Sequence, residues 1–230
     1  MTLTALPHLL LFARPPVLGR VKTRLVPPLT HEEALRLYRA FLEDAARVYF
    51  APTEWRAVLV AESDPDHHEL GELFALPWIR EAQAEGDLGT RLAASFGRAF
   101  AQGAPAAVAV GSDHPALPRR LLEQAFSHLS AGTEAALVPA EDGGYCAIGL
   151  AASVPAAEVF RGIPWSTAST LQATRERLIA FGLHVEILEA AYDVDRPDDL
   201  ERLRRDLASR DPEAADFPRA TARVLSELTA

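Results

Sequence analysis

The sequence predicts an α/β fold, a mostly parallel, mixed sheet with helices on both faces. Short apolar runs alternate with amphipathic stretches along the whole chain, the pattern of parallel strands joined by crossover helices. At 230 residues, 25.0 kDa and 49% hydrophobic content, the chain is long enough to bury one large core. No internal repeat, low-complexity run or linker divides it. One domain over 1–230 is therefore expected, with its core at about 6–205 and a helical tail over 212–230.

Residues 6–13 open the fold as a buried strand. An irregular loop follows, and Thr30 with Glu33 forms a T-x-x-E capping box ahead of the periodic helix EALRLYRAFLEDAARVYF. RAVLVAE is the second strand, DPDHHELGELFA (64–75) a helix and WIREAQ (78–83) a short strand. DLGTRLAASFGRAFAQG is a helix closed by Gly103. AAVAVGS reads as an interior strand, leading to the helix PRRLLEQAFSHLSAG, the strand EAALVPAE and a strand from Tyr145 to Leu150. Helix 166–181, strand 184–194 and helix 197–210 complete the sheet, and FPRATARVLSELTA is a last helix packed on the outside.

A formal net charge of −9 and a pI near 5.3 would repel a polyanion, which argues against nucleic acid as a partner. Positive charge is concentrated in one place. Arg14, Arg20, Lys22 and Arg24 precede the first acidic residue, Glu32, and Lys22 is the only lysine of the chain. Such a cluster suits a small anion. The lone Cys146 forms no intramolecular disulfide, and the N-terminus lacks the pattern of a signal peptide, so a cytoplasmic protein is expected. No segment reaches the roughly 20 apolar residues of a membrane span.

In open α/β sheets ligands bind beyond the carboxyl ends of the strands, so the residues just after apolar runs carry the functional information. FARPPVLGRVKTRL leaves the first strand with two prolines and Gly19, an irregular loop able to wrap a di- or triphosphate with amides and cations. It is not a Walker A loop. A lysine is a compact point charge that can follow a phosphate oxygen, whereas arginine imposes a planar fork. AVAVGSDHPALP places Asp113 at the sheet rim, suited to Mg²⁺ or Mn²⁺, hard cations that share oxygen ligands with substrate phosphates. Its plainer role, helix capping, is disfavoured because Pro115 and Pro118 move the helix start downstream. His114 reads as a turn residue. PAEDGGYCAIGL sets Glu141 and Asp142 before two glycines, a tight turn, a functional loop, or both. Asp87 in AEGDLGTRLAASF either caps a helix or places its loop against a base or ribose. In AYDVDRPDDL, Asp195 is either the N-cap before Pro197 or a metal ligand.

Taken together, FARPPV-x-GRVKTRL, GDLGTRL, GSDHPAL, PAEDGGYCAIGL, IPWST and DVDRPDDL resemble the bacterial GT-A-fold transferases called DUF2064, the arsenosugar-biosynthesis-type glycosyltransferases associated with radical-SAM and selenoprotein contexts. The resemblance runs from about residue 8 to 205. Their superfamily includes nucleotide-sugar glycosyltransferases and the nucleotidyltransferases that make CMP-sugars, molybdopterin guanine dinucleotide and phospholactate-guanylate.

The resemblance implies a single Rossmann-like GT-A domain in which Arg14, Gly19, Arg20, Lys22 and Arg24 handle phosphates and Asp113 holds the metal. DVDRPDDL resembles the D-T-P-E-D-L ending of the nucleotidyltransferases and points to Asp195 as the second metal ligand, with Asp193 its rival and Arg196 where Thr is usual. Ala13 and the Gly86–Gly89 loop, with Asp87 and Gly89, fall to the base and ribose. Asp113 is followed by His114 and Pro115, a departure from the D-x-D pattern of glycosyltransferases.

The expected function is metal-dependent transfer from an activated nucleotide to a small-molecule acceptor. Glycosyl transfer from a nucleotide sugar is the first reading and nucleotidyl transfer, with pyrophosphate release, the second. Lys22 and Arg24 would neutralise the leaving phosphates in either reaction, and Asp142 or a group near Trp165-Ser166-Thr167 would face the acceptor. A catalytically silent nucleotide-binding domain is the third reading, which a cation loop together with exposed rim carboxylates disfavours.

Overall fold

The apolar run near the N-terminus becomes β1 (His8–Ala13), paired in parallel with β2 (Arg56–Ala61) on one side and β4 (Ala106–Gly111) on the other. A strand buried on both faces is expected to be continuously apolar, and after the buried His8 it is: Leu9 and Leu11 face one layer of helices while Leu10 faces the other. The computed structural model describes residues 5–50, 54–62, 64, 66–73 and 79–228.

Along the chain the remaining elements are α1 (His31–Phe50), α2 (His68–Leu73), β3 (Ile79–Ala82), α3 (Leu88–Ala101), α4 (Arg119–Ser130), β5 (Ala135–Pro139) and β6 (Tyr145–Ala151). They continue with α5 (Ala156–Val159), α6 (Thr170–Ala180), β7 (Val185–Ile187), α7 (Pro197–Ser209) and α8 (Arg219–Glu227). Among the described residues seven strands form one sheet in the order β3-β2-β1-β4-β6-β5-β7. All pairings are parallel except those of β6, which lies antiparallel between β4 and β5. The short connection Ala140–Gly144 explains the exception: a parallel crossover needs a dozen or more residues, so β5 and β6 can only form a hairpin. Apolar side chains of α1, α2, α4, α7 and α8 pack on one face of the sheet, and those of α3, α5 and α6 on the other.

The expected helix ends are present. Thr30 and Glu33 exchange the reciprocal bonds of a capping box, Glu33 N to Thr30 Oγ1 at 3.2 Å and Thr30 N to Glu33 Oε2 at 2.7 Å. Gly103 closes α3 with φ +88°.

Other boundaries shift. The expected helix 166–181 begins at Thr170, because Ser166 has φ 60° and the Thr167 and Thr170 hydroxyls donate locally to Pro164 O, competing with the helix. Strand 184–194 shortens to β7, followed by one bridge between Ala140 and Ala191, as the chain leaves the sheet edge for its upper rim. The helix expected at 64–75 and the strand at 78–83 run partly outside the described residues; within them α2 starts later, at His68, and β3 ends at Ala82. The four-residue α5 has no counterpart in the expected elements.

The tail covers the chain's own α1. Asp44, buried in α1, accepts Ala220 N at 3.1 Å and Thr221 N at 2.8 Å at the start of α8. Arg47 donates to Ala215 O at 2.6 Å and to Phe217 O. Among the described residues no helix is long and apolar enough to cross a membrane.

Candidate active site

β1 and β4 end side by side, with Phe12 in register with Gly111, and the strand order reverses at this pair, β1 leading to β2 on one side and β4 to β5 on the other. That divergence leaves a crevice above the strand ends. The two exits are tied together by Tyr38 of α1, which is buried: its hydroxyl accepts Arg14 N at 3.0 Å, donates to Arg14 O at 3.2 Å and meets Ser112 Oγ at 3.0 Å. Burial pushes the Tyr38 hydroxyl well above its ordinary value, so it remains a protonated tether.

Within the crevice Lys22 stands between two carboxylates. Its Nζ lies 2.5 Å from Asp113 Oδ1 and 3.0 Å from Asp195 Oδ1, and Arg24 Nη1 takes the other oxygen of Asp195 at 3.3 Å. The Lys22 side chain is only 4% exposed and its ammonium lies 5.7 Å from the centre of the Phe41 ring. The Lys22 backbone is left-handed, φ 48° and ψ 34°, a conformation costing a non-glycine residue about 1–3 kcal/mol. It precedes the short 3₁₀ turn Thr23–Leu25, where Leu25 N bonds Lys22 O at 3.0 Å. Enclosure in the crevice works to raise the Asp113 carboxyl. The adjacent Lys22 ammonium, with His114 and Arg14 behind it, outweighs that effect and holds it below the ordinary carboxylate value.

Two local bonds explain how residues 82 positions apart in sequence meet. Val194 N donates to Asp113 O at 3.0 Å, stitching the two acidic segments together. Asp199 Oδ2, at the third position of α7, then accepts Asp195 N at 2.9 Å and Arg196 N at 2.7 Å, fixing the chain that enters the helix through its N-cap, Arg196. The N-cap position expected for Asp195 is held by Arg196, and the Asp195 side chain is turned to Lys22 and Arg24.

A second group lies behind the first. Asp193 is pushed up by burial and by the carboxylates of Asp195 and Asp142, against the opposing influence of His114. Burial lowers His114 despite Asp113 and Asp193, and its Nδ1 is 3.4 Å from Tyr192 O. Asp142 Oδ1 accepts Gly144 N at 2.9 Å, closing the hairpin turn. Gly143 in that turn has φ +92°, and a Cβ there would lie 2.2 Å from Ala168 O. The Asp142 loop is therefore seated directly on the segment after Trp165. Glu141 instead pairs with Arg202 through two contacts, 2.5 and 2.6 Å, beside the Tyr192 ring.

Among the other expected nucleotide-binding residues, Asp87, Gly89 and Arg14 have local contacts. Asp87 caps α3, accepting Thr90 N at 2.8 Å and Thr90 Oγ1 at 2.6 Å. Gly89 is buried where a Cβ would lie 2.7 Å from Trp165 Nε1, which makes it a packing position. Arg14 Nε pairs with Glu62 at 3.0 Å, and Arg91 reaches the same carboxylate at 3.2 Å and Gln83 at 3.2 Å, bracing the ends of β1, β2 and β3. Ala13 is buried in the core, and Gly19 and Arg20 are exposed at the loop tip. Beneath His114 and Gly111 a cleft of about 120 Å³ opens between Phe12, Leu92, Tyr145 and Ile148. Tyr38, Glu62, Arg91 and Asp199 escaped the sequence reading, since each sits in an ordinary helical or strand-end context.

Among the described residues no three His, Cys, Asp or Glu side chains converge to hold a metal ion. Asp113 and Asp195 nevertheless fit Mg²⁺ or Mn²⁺, which take one or two protein carboxylates and complete their shell with phosphate oxygens and water.

The model of a bacterial family described as "Uncharacterized protein conserved in bacteria (DUF2064)" matches residues 45–167. Among curated proteins no sequence matches. A crystal structure from Desulfovibrio desulfuricans G20, assigned by name to the nucleotide-diphospho-sugar transferases, is 29% identical and superposes with a TM-score of 0.86, over 97% of this chain and 98% of that one. CMP:2-keto-3-deoxy-manno-octonic acid synthetase complexed with CTP is 12% identical with a TM-score of 0.54, over 89% of this chain and 99% of that one. A cytidylyltransferase from Leptospira borgpetersenii serovar Hardjo-bovis is 11% identical with a TM-score of 0.55, over 97% and 95%. The last two likenesses establish a shared fold.

Proposed function

Since this chain belongs to the DUF2064 family, and Lys22, Asp113 and Asp195 meet at its strand-exit crevice, we propose that it is a metal-dependent transferase of an activated nucleotide, moving a glycosyl group from a nucleotide sugar to a small acceptor. The observation that carries the reading is that convergence: one cation and two carboxylates, from segments far apart in sequence, at the position where open α/β sheets bind ligands. The name of the 29% identical relative supports a nucleotide-sugar donor.

In this mechanism the acceptor oxygen bonds the anomeric carbon as the bond from that carbon to the diphosphate breaks. Asp142 takes the acceptor proton. Its Oδ1 is committed to Gly144, which assigns the acceptor hydroxyl to Oδ2. Lys22 and Arg24 neutralise the charge that develops on the departing nucleoside diphosphate, a preorganised electrostatic role. Tyr38 holds the loop that carries both cations against the β4 exit. A divalent cation held by Asp113 and Asp195 would supply Lewis-acid stabilisation of the same leaving group.

Nucleotidyl transfer is the second reading, favoured by one observation. The two candidate metal acids come from different strand exits, with Pro115 where a D-x-D pair would place its second acid. A thermal-shift screen with Mg²⁺ or Mn²⁺ separates the two, because a ligand that binds only the folded state raises its apparent stability. A nucleotide sugar that stabilises the protein more than the matching triphosphate supports glycosyl transfer, and the reverse supports nucleotidyl transfer. The shift should vanish in Asp113→Asn while the unliganded melting point holds. A flat screen across both ligand classes would overturn the transferase reading.

A further inference from the structure

We infer that Lys22 is the resident cation of the Asp113–Asp195 pair, so that the crevice takes up a divalent cation and a polyphosphate only together, as a chelate. The identity of the ligand rests on the transferase reading, while the coupling rests on the geometry of Lys22.

The ammonium is 2.5 Å from one carboxylate and 3.0 Å from the other, and its side chain is 4% exposed. A buried ammonium requires anionic partners, and removing them leaves an uncompensated charge. A divalent cation arriving alone would take both carboxylates, strand the ammonium in the crevice and place like charges side by side. A polyphosphate arriving alone would draw Lys22 away, leaving Asp113 without its ammonium and Asp195 with Arg24 alone, both carboxylates beside the new anion. A chelate resolves both conflicts: the metal replaces Lys22 on the carboxylates while the phosphate oxygens replace the carboxylates on Lys22. Lysine suits this exchange of partners, since its charge sits on a flexible stem without the fixed fork of arginine. The left-handed backbone at Lys22 points the same way, because the chain sustains an unfavoured conformation at the residue that fills the carboxylate pair.

The test uses Mn²⁺ alone, then Mn²⁺ with inorganic tripolyphosphate. Free Mn²⁺ is read by electron paramagnetic resonance in wild type, Lys22→Met and Lys22→Met/Asp113→Asn, each first shown to be folded by thermal melting. Lys22→Met, which keeps the length of the side chain and removes its charge, should bind Mn²⁺ about tenfold or more tightly than wild type, and the double variant should lose that gain. In calorimetry, wild type should bind tripolyphosphate about tenfold or more tightly with Mn²⁺ than without. Equal Mn²⁺ uptake by wild type and Lys22→Met overturns the inference, as does a wild-type tripolyphosphate affinity indifferent to the metal. Should Lys22→Met not fold, the wild-type calorimetry decides alone. The nucleotide screen presents metal and nucleotide together and does not depend on Lys22 being displaced from the carboxylates, so the transferase reading stands or falls separately.

Discussion

At the scale of single residues, the crevice is held by groups outside its cluster of cations and carboxylates. Tyr38 is the plainest case. One phenolic oxygen serves the backbone N–H and C=O of Arg14 and the hydroxyl of Ser112, joining the first-strand loop to the β4 exit. Tyr38→Phe keeps the ring and removes the oxygen, leaving three polar groups without that partner. The expected cost is about 1–3 kcal/mol, because an unsatisfied buried group loses its full desolvation penalty. Urea unfolding should show it as a lower midpoint at unchanged slope. Polyphosphate binding should weaken as well, since the loop bearing Lys22 loses its anchor. An unchanged midpoint would mean that the three groups find other partners. Lys22 was legible in the sequence as the only lysine, set in the cationic loop that leaves the first strand, and Asp113 and Asp195 as acids at the ends of apolar runs. Tyr38 was not, because a tyrosine on the apolar face of a long helix looks like core until the opposite strand exit is known.

At the scale of elements, local capping chemistry was readable and pairing geometry was less so. The Thr30–Glu33 box and the closing Gly103 are complete within a few residues, and both are present. The length of β7 depends on when the chain leaves β5 for the rim, a tertiary decision with no local mark. The start of α7 shows the same dependence: Arg196 holds the N-cap, Asp199 ties the amides of Asp195 and Arg196 from within the helix, and the Asp195 side chain is taken by Lys22. The cap of α8 is stranger still, since it comes from Asp44, 176 residues away from Ala220. Asp44→Ala should cost about 1–2 kcal/mol, the usual worth of an N-cap, and lower the melting temperature by about 2–4 °C for each kcal/mol in a domain of this size. Burial raises the Asp44 carboxyl above its ordinary 3.8 although the amides of Thr221 and Ala220 oppose the change. The folded state therefore binds this proton more readily than the unfolded chain. Its contribution is full below pH 3.8 and is lost as pH rises through the raised folded value. Asp44→Asn should flatten that part of the stability profile, and an unaltered profile would assign the slope to other groups.

At the scale of the whole molecule, the sheet is one ladder in which β6 is the joint, since β4 and β5 meet only through it. Apolar alternation predicted the sheet and the helices on both faces, but not that β6 lies between β4 and β5; the topology follows once the five-residue hairpin forbids a crossover. This arrangement makes the lone cysteine a reporter of cooperativity. Cys146 is buried near the start of β6, and its thiol is pushed up to about 12 by burial, with Asp193, Asp142 and Glu141 adding to the effect. The nucleophile in alkylation is the thiolate, so at pH 8 the native protein should react with iodoacetamide far more slowly than a free thiol. In urea, labelling should rise with the same midpoint as the loss of helical circular dichroism, because β6 cannot part from both neighbours without dividing the sheet. Labelling that clearly precedes the dichroism change would instead show the β5–β6 hairpin opening as a local unit, and the loop bearing Asp142 would open with it.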